Sequence, residues 1–158
     1  MPHPLVRAMI AHFDSVFEGP NGDFSAVLEG VANMPVAQAR WKPTPTSNSI
    51  WQIVEHLIAS KEWQIEMLEH GHAAPPVWIE PSGDEAAWQA SLARLKDAHQ
   101  RLKRSLEGVA EADLLKVPDP EDGHTLLELI LSSGPAHEAH HSGQMDYLKG
   151  LQAGSAGQ

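Results

Sequence analysis

The chain has 158 residues, with 21 acidic against 11 basic side chains and a formal net charge of −10. It contains no cysteine, so disulfides and thiolate metal sites are excluded. The basic residues are scattered apart from Arg101, Lys103 and Arg104, and a surface that tracks phosphates needs a basic face, so nucleic acid is not expected as a partner.

The length is that of one domain with its own core. Residues 1–151 are expected to form it, with 152–158 as a flexible tail of small and polar residues. No apolar run approaches the ~20 residues that cross a bilayer. The start, Met1-Pro2-His3-Pro4, lacks a basic segment followed by an apolar one, so a cytoplasmic, non-membrane protein is expected.

Helical patterns dominate from the start. A first helix opens near Pro4 and carries Leu5, Ile10, Phe13 and Phe17, until Gly19-Pro20-Asn21-Gly22 interrupts it with turn geometry. Asp23 can cap a resumed segment through Asn33, with Phe24, Val27, Leu28 and Val31 as its apolar set. A loop with Pro43 and Pro45 follows. Three later helices each begin with a capping box, in which a hydroxyl and a Glu or Gln three residues on satisfy each other's free backbone donors. The pairs are Ser49 with Gln52, Ser82 with Glu85, and Thr125 with Glu128. Gly71, Gly108 and Gly150 stand where these helices should stop.

Between the second and third long helices lies Gly71–Pro81, which contains Pro75, Pro76 and Pro81; only Pro76–Ile79 reads as a short extended piece. The third helix shows a clean stripe of Trp88, Leu92, Leu95, Leu102 and Leu106. The fourth presents Ile130, Gly134, His137, His141, Met145 and Leu148 along one side, and Pro135 should kink it just before the histidines.

Ten histidines invite a metal hypothesis, and spacing selects among them. His137 and His141 are four apart on one helix face, where both imidazoles can grip one ion. His56 lies seven residues past the Ser49 cap, and His141 eight residues before Lys149, which puts each roughly 10–12 Å from its helix end. The three rings share a level if these two helices run antiparallel, and miss by about 10 Å or more if they run parallel. A common site therefore favours a bundle in which the second and third helices run parallel, which needs a long crossover; the Gly71–Pro81 connection can span ~30 Å when extended. The expected architecture is an all-α four-helix bundle holding one divalent transition metal on His56, His137 and His141. His99 falls about 15 Å along the axis from that site and reads as a core or interface histidine. His140 points about 100° from its neighbours. His3, His12, His70, His72 and His124 read as surface residues.

At Trp41-Lys42-Pro43, at Asn48-Ser49-Ile50-Trp51 leading to Glu55-His56, and at His137-Glu138-Ala139-His140-His141-Ser142-Gly143-Gln144, the chain resembles the DinB-like family of metalloenzyme bundles. The resemblance covers most of the chain; Ser142 stands where many members carry a basic residue. It implies a four-helix bundle with this crossover, a three-histidine site for Zn or Ni, and homodimers. Characterised members include hydrolases and transferases that use low-molecular-weight thiols such as bacillithiol or mycothiol, so the expected partner is a small-molecule substrate, with such a thiol as co-substrate.

Other readings compete. His137-Glu138-Ala139-His140-His141 also matches the H-E-x-x-H zinc-protease helix, but the extended form fails at Gln144, where it needs glycine, and has no third histidine after it. Glu138 can serve there as general base, or equally be a solvated surface acid. A carboxylate-bridged di-iron bundle needs two Glu-x-x-His pairs; Glu138/His141 is one, but Gly71 divides Glu69 from His72. The remaining alternative is a non-catalytic metal-binding or stress-response protein. Trp51, close to His56, is the tryptophan expected to border the site. An ion on three neutral imidazoles keeps an open position, which suits a catalytic rather than a closed structural site.

Overall fold

A computed structural model describes residues 3–20 and 22–155, and among these there is no strand. The helices are α1 (Pro4–Phe17), α2 (Val27–Gly30), α3 (Val36–Arg40), α4 (Ile50–His70), α5 (Glu85–Gly108), α6 (Glu111–Leu114), α7 (Leu126–Leu131) and α8 (His137–Ser155), with a π-helical turn at Ser132–Ala136 joining the last two.

Local chemistry sets most of these boundaries. Pro4 begins α1, where its missing N–H is harmless. The Ser49/Gln52 and Thr125/Glu128 boxes both form, and Gly71 ends α4 in the left-handed conformation at φ 76°. Three expectations are corrected. Asp84, not Ser82, caps α5, because the Glu85 carboxylate is recruited by the Val36 N–H of α3 at 2.8 Å and so cannot reach back. Gly150 does not stop α8, which runs to Ser155; Gln152 is tied to the Gln38 carbonyl at 2.8 Å, and a lone helical glycine costs only about 1 kcal/mol. Of the expected tail, Gln152 is helical and half-buried, Ala153, Gly154 and Ser155 are helical and exposed, and residues 156–158 lie outside the described residues. The segment after Asp23 shrinks to α2, with the Glu29 carboxylate accepting from the Ala26 N–H and Asn33 turning the chain at φ 54°.

Contacts between helices give their directions. Trp51–Ser91, Lys61–His99 and Glu69–Ser105 ascend together along α4 and α5, as they do between neighbours that point the same way. His56–His141, Lys61–Glu138 and Gln64–Ser133 run oppositely, so the α7–α8 unit descends along α4. Lys103–Asp14 and Phe17–His99 likewise set α1 against α5, and His3, just before α1, meets Glu111 of α6 beyond the end of α5.

The core divides into two apolar clusters. One gathers Phe17, Trp51, Leu57, Trp88, Leu95 and Met145; the other gathers Val6, Phe13, Ile65, Leu102, Leu106 and Ile130. Between them the apolar repeat is interrupted on each long helix by a buried or half-buried polar residue: Asp14 on α1, Lys61 on α4, His99 on α5 and Glu138 on α8. His137 is the chain neighbour of Glu138, and His56 lies five residues, about 7.5 Å along α4, from Lys61. The register of Trp51 on Ser91 and Lys61 on His99 brings His99 nearer the three-histidine site than the expected ~15 Å, because α5 starts further back along the bundle than α4.

The kink before His137 is real, with Gly134 at φ −99°, ψ −105°. A Cβ at Gly134 would sit inside the van der Waals envelope of the Phe13 ring and 2.9 Å from Gln64 Oε1. Phe13 is fully buried and cannot swing away. Gly134→Ala is expected to lower the urea-unfolding free energy by about 1–3 kcal/mol, the range for overpacking a filled core.

Candidate metal centre

His56 stands on the second turn of α4, while His137 and His141 open α8 one turn apart. Nε2 of His137 lies 2.8 Å from Nε2 of His141 and 3.1 Å from Nε2 of His56, and the three donors all fall within 4.8 Å of one another. His56 and His141 are buried and His137 is half-buried. Burial is the main cause that pushes each ring down to about 4, aided by the neighbouring rings; the Ser133 backbone works against it at His137, and Gln144 at His141. All three are therefore neutral at pH 7.

Their protons can be placed. Nδ1 of His141 lies 2.7 Å from Gln144 Oε1, an oxygen that only accepts, so His141 carries its proton on Nδ1 and turns an Nε2 lone pair inward. Nε2 of His137 meets two neighbours, yet a ring nitrogen has one in-plane proton or one lone pair and cannot serve both linearly. A cation where the three nitrogens converge accepts all three lone pairs at once. Nδ1 of His56 and of His137 have no partner in hydrogen-bond geometry, with the Ser133 backbone acting on the His137 ring from outside that geometry, so His141 has the well-formed outer anchor common among metal-bound histidines. The donor set fits a divalent transition metal, since three imidazoles suit Zn or Ni and do not suit Mg or Ca.

The tryptophan beside the site is Trp78, not Trp51. Trp51 is buried in the core, its Nε1 donating to Ser91 Oγ at 2.9 Å and its ring edge-on to Trp88. Trp78 stacks on His56, with centroids 4.0 Å apart and planes 5° apart, and stands edge-on to His141. Glu80 holds its loop down, accepting from Lys42 Nζ at 2.8 Å and from Gln52 Nε2 at 2.7 Å. The loop that joins α4 to α5 thereby covers one side of the triad.

Glu138 is not a solvated acid. It is 1% exposed, and its carboxylate is ion-paired with Lys61, itself 1% exposed. Burial pushes the Glu138 carboxyl up and the Lys61 amine down, and the charge of each partner opposes that shift in the other. Lys61 also donates to His99 Nδ1 at 3.2 Å, and its ammonium lies over the Phe17 ring. His99 is outside the triad. With Nδ1 accepting, its proton sits on Nε2, which donates to Asp14 Oδ1 at 2.9 Å, and Asp14 accepts from Lys103. Asp14, Glu18 and His99 form the second convergent group of donors among the described residues, but Lys61 and Lys103 already bridge it. Glu69 accepts from Ser105 and joins neither group, so the di-iron pattern is not assembled. His140 is exposed and meets Gln144 Nε2; His3, His12, His70, His72 and His124 are exposed too.

Burial holds the His99 ring down to about 4, helped by Lys61 and opposed by Asp14. A histidine with a depressed folded value contributes stability that is present above the unfolded pKa near 6.5 and is lost as pH falls through about 4. Wild type is expected to lose urea resistance between pH 6.5 and 4 more steeply than His99→Gln, which cannot titrate, and parallel urea melts at several pH values check this.

An all-helical chain with a buried three-histidine cluster across two of its helices defines the class. Residues 23–145 match the family model of the DinB superfamily, and the chain belongs to it. The match spans all three histidines, Lys61 and Glu138, and leaves out α1 with Asp14. No match was found among curated proteins or solved structures.

Proposed function

We propose that this protein is a metal-dependent enzyme, a hydrolase or a low-molecular-weight-thiol transferase. It holds one Zn or Ni ion on Nε2 of His56, His137 and His141 in a four-helix bundle whose second and third helices are joined by a crossover. The observation that carries this reading is the meeting of three neutral ring nitrogens that no arrangement of protons satisfies linearly. The opposed contact orders along α4 support the bundle topology.

An ion bound there supplies Lewis acidity, which lowers the pKa of a water or thiol and polarises an electrophile. The protein's own groups do the rest. Gln144 holds the His141 tautomer, Trp78 fixes the His56 ring plane and shields it from solvent, and the neutral ligand set keeps the positive charge of the ion undiminished. Lys61 holds the Glu138 carboxylate, which we assign to positioning the first turn of α8 rather than to taking a proton. Hydrolysis and thiol transfer share the activation of a nucleophile, and so share these residues.

The test is elemental analysis of protein purified without a histidine tag. About one equivalent of Zn or Ni is expected, and protein that stays metal-free after incubation with either ion overturns the reading. Activity on electrophiles, with and without added thiols, in metal-loaded against metal-stripped protein then separates the two reaction types.

A further inference from the structure

Beside the triad lies a cavity of about 200 Å³, lined by His56, Ser60, Trp63, Pro76, Ser133 and His137. Three elements build it. His56, Ser60 and Trp63 follow one another along one face of α4 at spacings of four and three. Pro76 comes from the crossover loop, and Ser133 from the π-helical turn that precedes α8. Such turns widen a helix locally and occur often at functional sites.

Around the cavity, Ser60 Oγ and Nδ1 of His56 and of His137 have no partner in hydrogen-bond geometry, and of these only Ser60 offers a hydroxyl. The histidine Nε2 atoms face one another. Ser133 donates its hydroxyl to the Leu129 carbonyl, and its own carbonyl accepts from Gln64. Ser60 is 4% exposed, and its hydroxyl has no hydrogen-bond partner. A helical serine ordinarily bonds back to the carbonyl one turn earlier; this one does not, although a buried unmet hydroxyl costs about 1–3 kcal/mol. No lysine, arginine or carboxylate lines the cavity, and Lys61, next in the chain, is committed to Glu138 and His99. Apart from an ion held on the triad, nothing there would compensate the desolvation of a charged ligand. The volume is below the roughly 300 Å³ at which drug-sized sites begin and just above the ~150 Å³ that accommodates benzene.

We propose that this cavity is a subsite for an uncharged carbonyl compound about the size of one substituted ring, whose oxygen accepts a hydrogen bond from Ser60 Oγ while Trp63 and Pro76 flank its apolar part. The proposal rests on the metal-enzyme reading, since it names the class of electrophile placed beside His56 and His137.

Benzamide is the neutral probe, with benzoate and benzamidine as charged probes of the same shape. Their dissociation constants would be measured by ligand-observed NMR on metal-stripped full-length protein, so that no carboxylate is drawn to an ion. Benzamide is expected to bind at least tenfold more tightly than either ion. Ser60→Ala should weaken benzamide about three- to tenfold, the contribution of one hydrogen bond, with unchanged metal stoichiometry and an unchanged or higher Tm. Ser60→Leu, which fills the cavity, should abolish benzamide binding. Equal affinity in wild type and Ser60→Ala, absence of benzamide binding, or preference for benzoate overturns the proposal. Wild type that takes up no metal but binds benzamide through Ser60 would sink the enzyme reading and leave the subsite standing; metal-loaded protein indifferent to Ser60 would do the reverse.

Discussion

His137→Ala is expected to weaken metal affinity by more than about 100-fold, because even loss of an outer partner such as Gln144 typically costs 10–100-fold and His137 is the ring that touches both others. The sign of the stability change distinguishes a ligand from a structural histidine. Without metal, the substitution relieves three crowded nitrogens and gives up only the Ser133 backbone's hold on the ring, which falls short of full hydrogen-bond geometry. The apo variant should therefore melt close to apo wild type. With metal at 100 times its Kd, wild type should gain about 2.7 kcal/mol by mass action, and the variant should gain little. Thermal melts with metal and with chelator, beside elemental analysis, check both halves. A His137→Ala/His141→Ala double variant that retains stoichiometric metal would remove the assignment. Gln144→Leu should fall between the two, since it frees the His141 tautomer without removing a nitrogen.

Helix boundaries set by short-range chemistry were legible in the sequence. Ser49, Thr125 and Gly71 act within four residues of themselves, so local pattern and structure agree. The boundaries that differ are those decided by distant partners. Glu85 reaches α3 rather than its own first turn, and Gln152 anchors to a carbonyl far back in the chain. Neither contact has a local signature.

The site divides in the same way. The level shared by His56, His137 and His141 followed from helical rise and cap positions, because regular helices carry distance information along the chain. Trp78 was not legible. Its loop has no period, and its place over His56 depends on Glu80 meeting Lys42 and Gln52 across the fold. Lys61 was missed although a signal existed. It continues the series Val54, Leu57, Lys61, Gln64 and Leu68 at spacings of three and four, so it occupies a core position of α4. A lysine at such a position calls for a buried acid, and Glu138 falls in the matching series of α8 between Gly134 and His141. Reading the two series together would have moved Glu138 from the surface to the interior.

Lys61→Met is expected to be the most destabilising single substitution in the polar layer. It leaves the Glu138 carboxylate buried with no counter-charge, and breaking a buried pair from one side costs about 3–5 kcal/mol. His99 Nδ1 loses its donor as well. The pair itself is a different matter, because desolvation of both charges offsets much of their attraction. Adding Glu138→Leu to Lys61→Met should therefore recover most of the loss, giving a coupling energy of several kcal/mol in a double-mutant cycle of urea unfolding. The recovered protein also separates two roles for Glu138. If the carboxylate only positions α8, Lys61→Met/Glu138→Leu should fold and bind metal within about tenfold of wild type, the lower bound for losing an outer partner. If it takes a proton during turnover, metal binding should survive while kcat collapses and KM holds, since an interaction made only in the transition state has been removed.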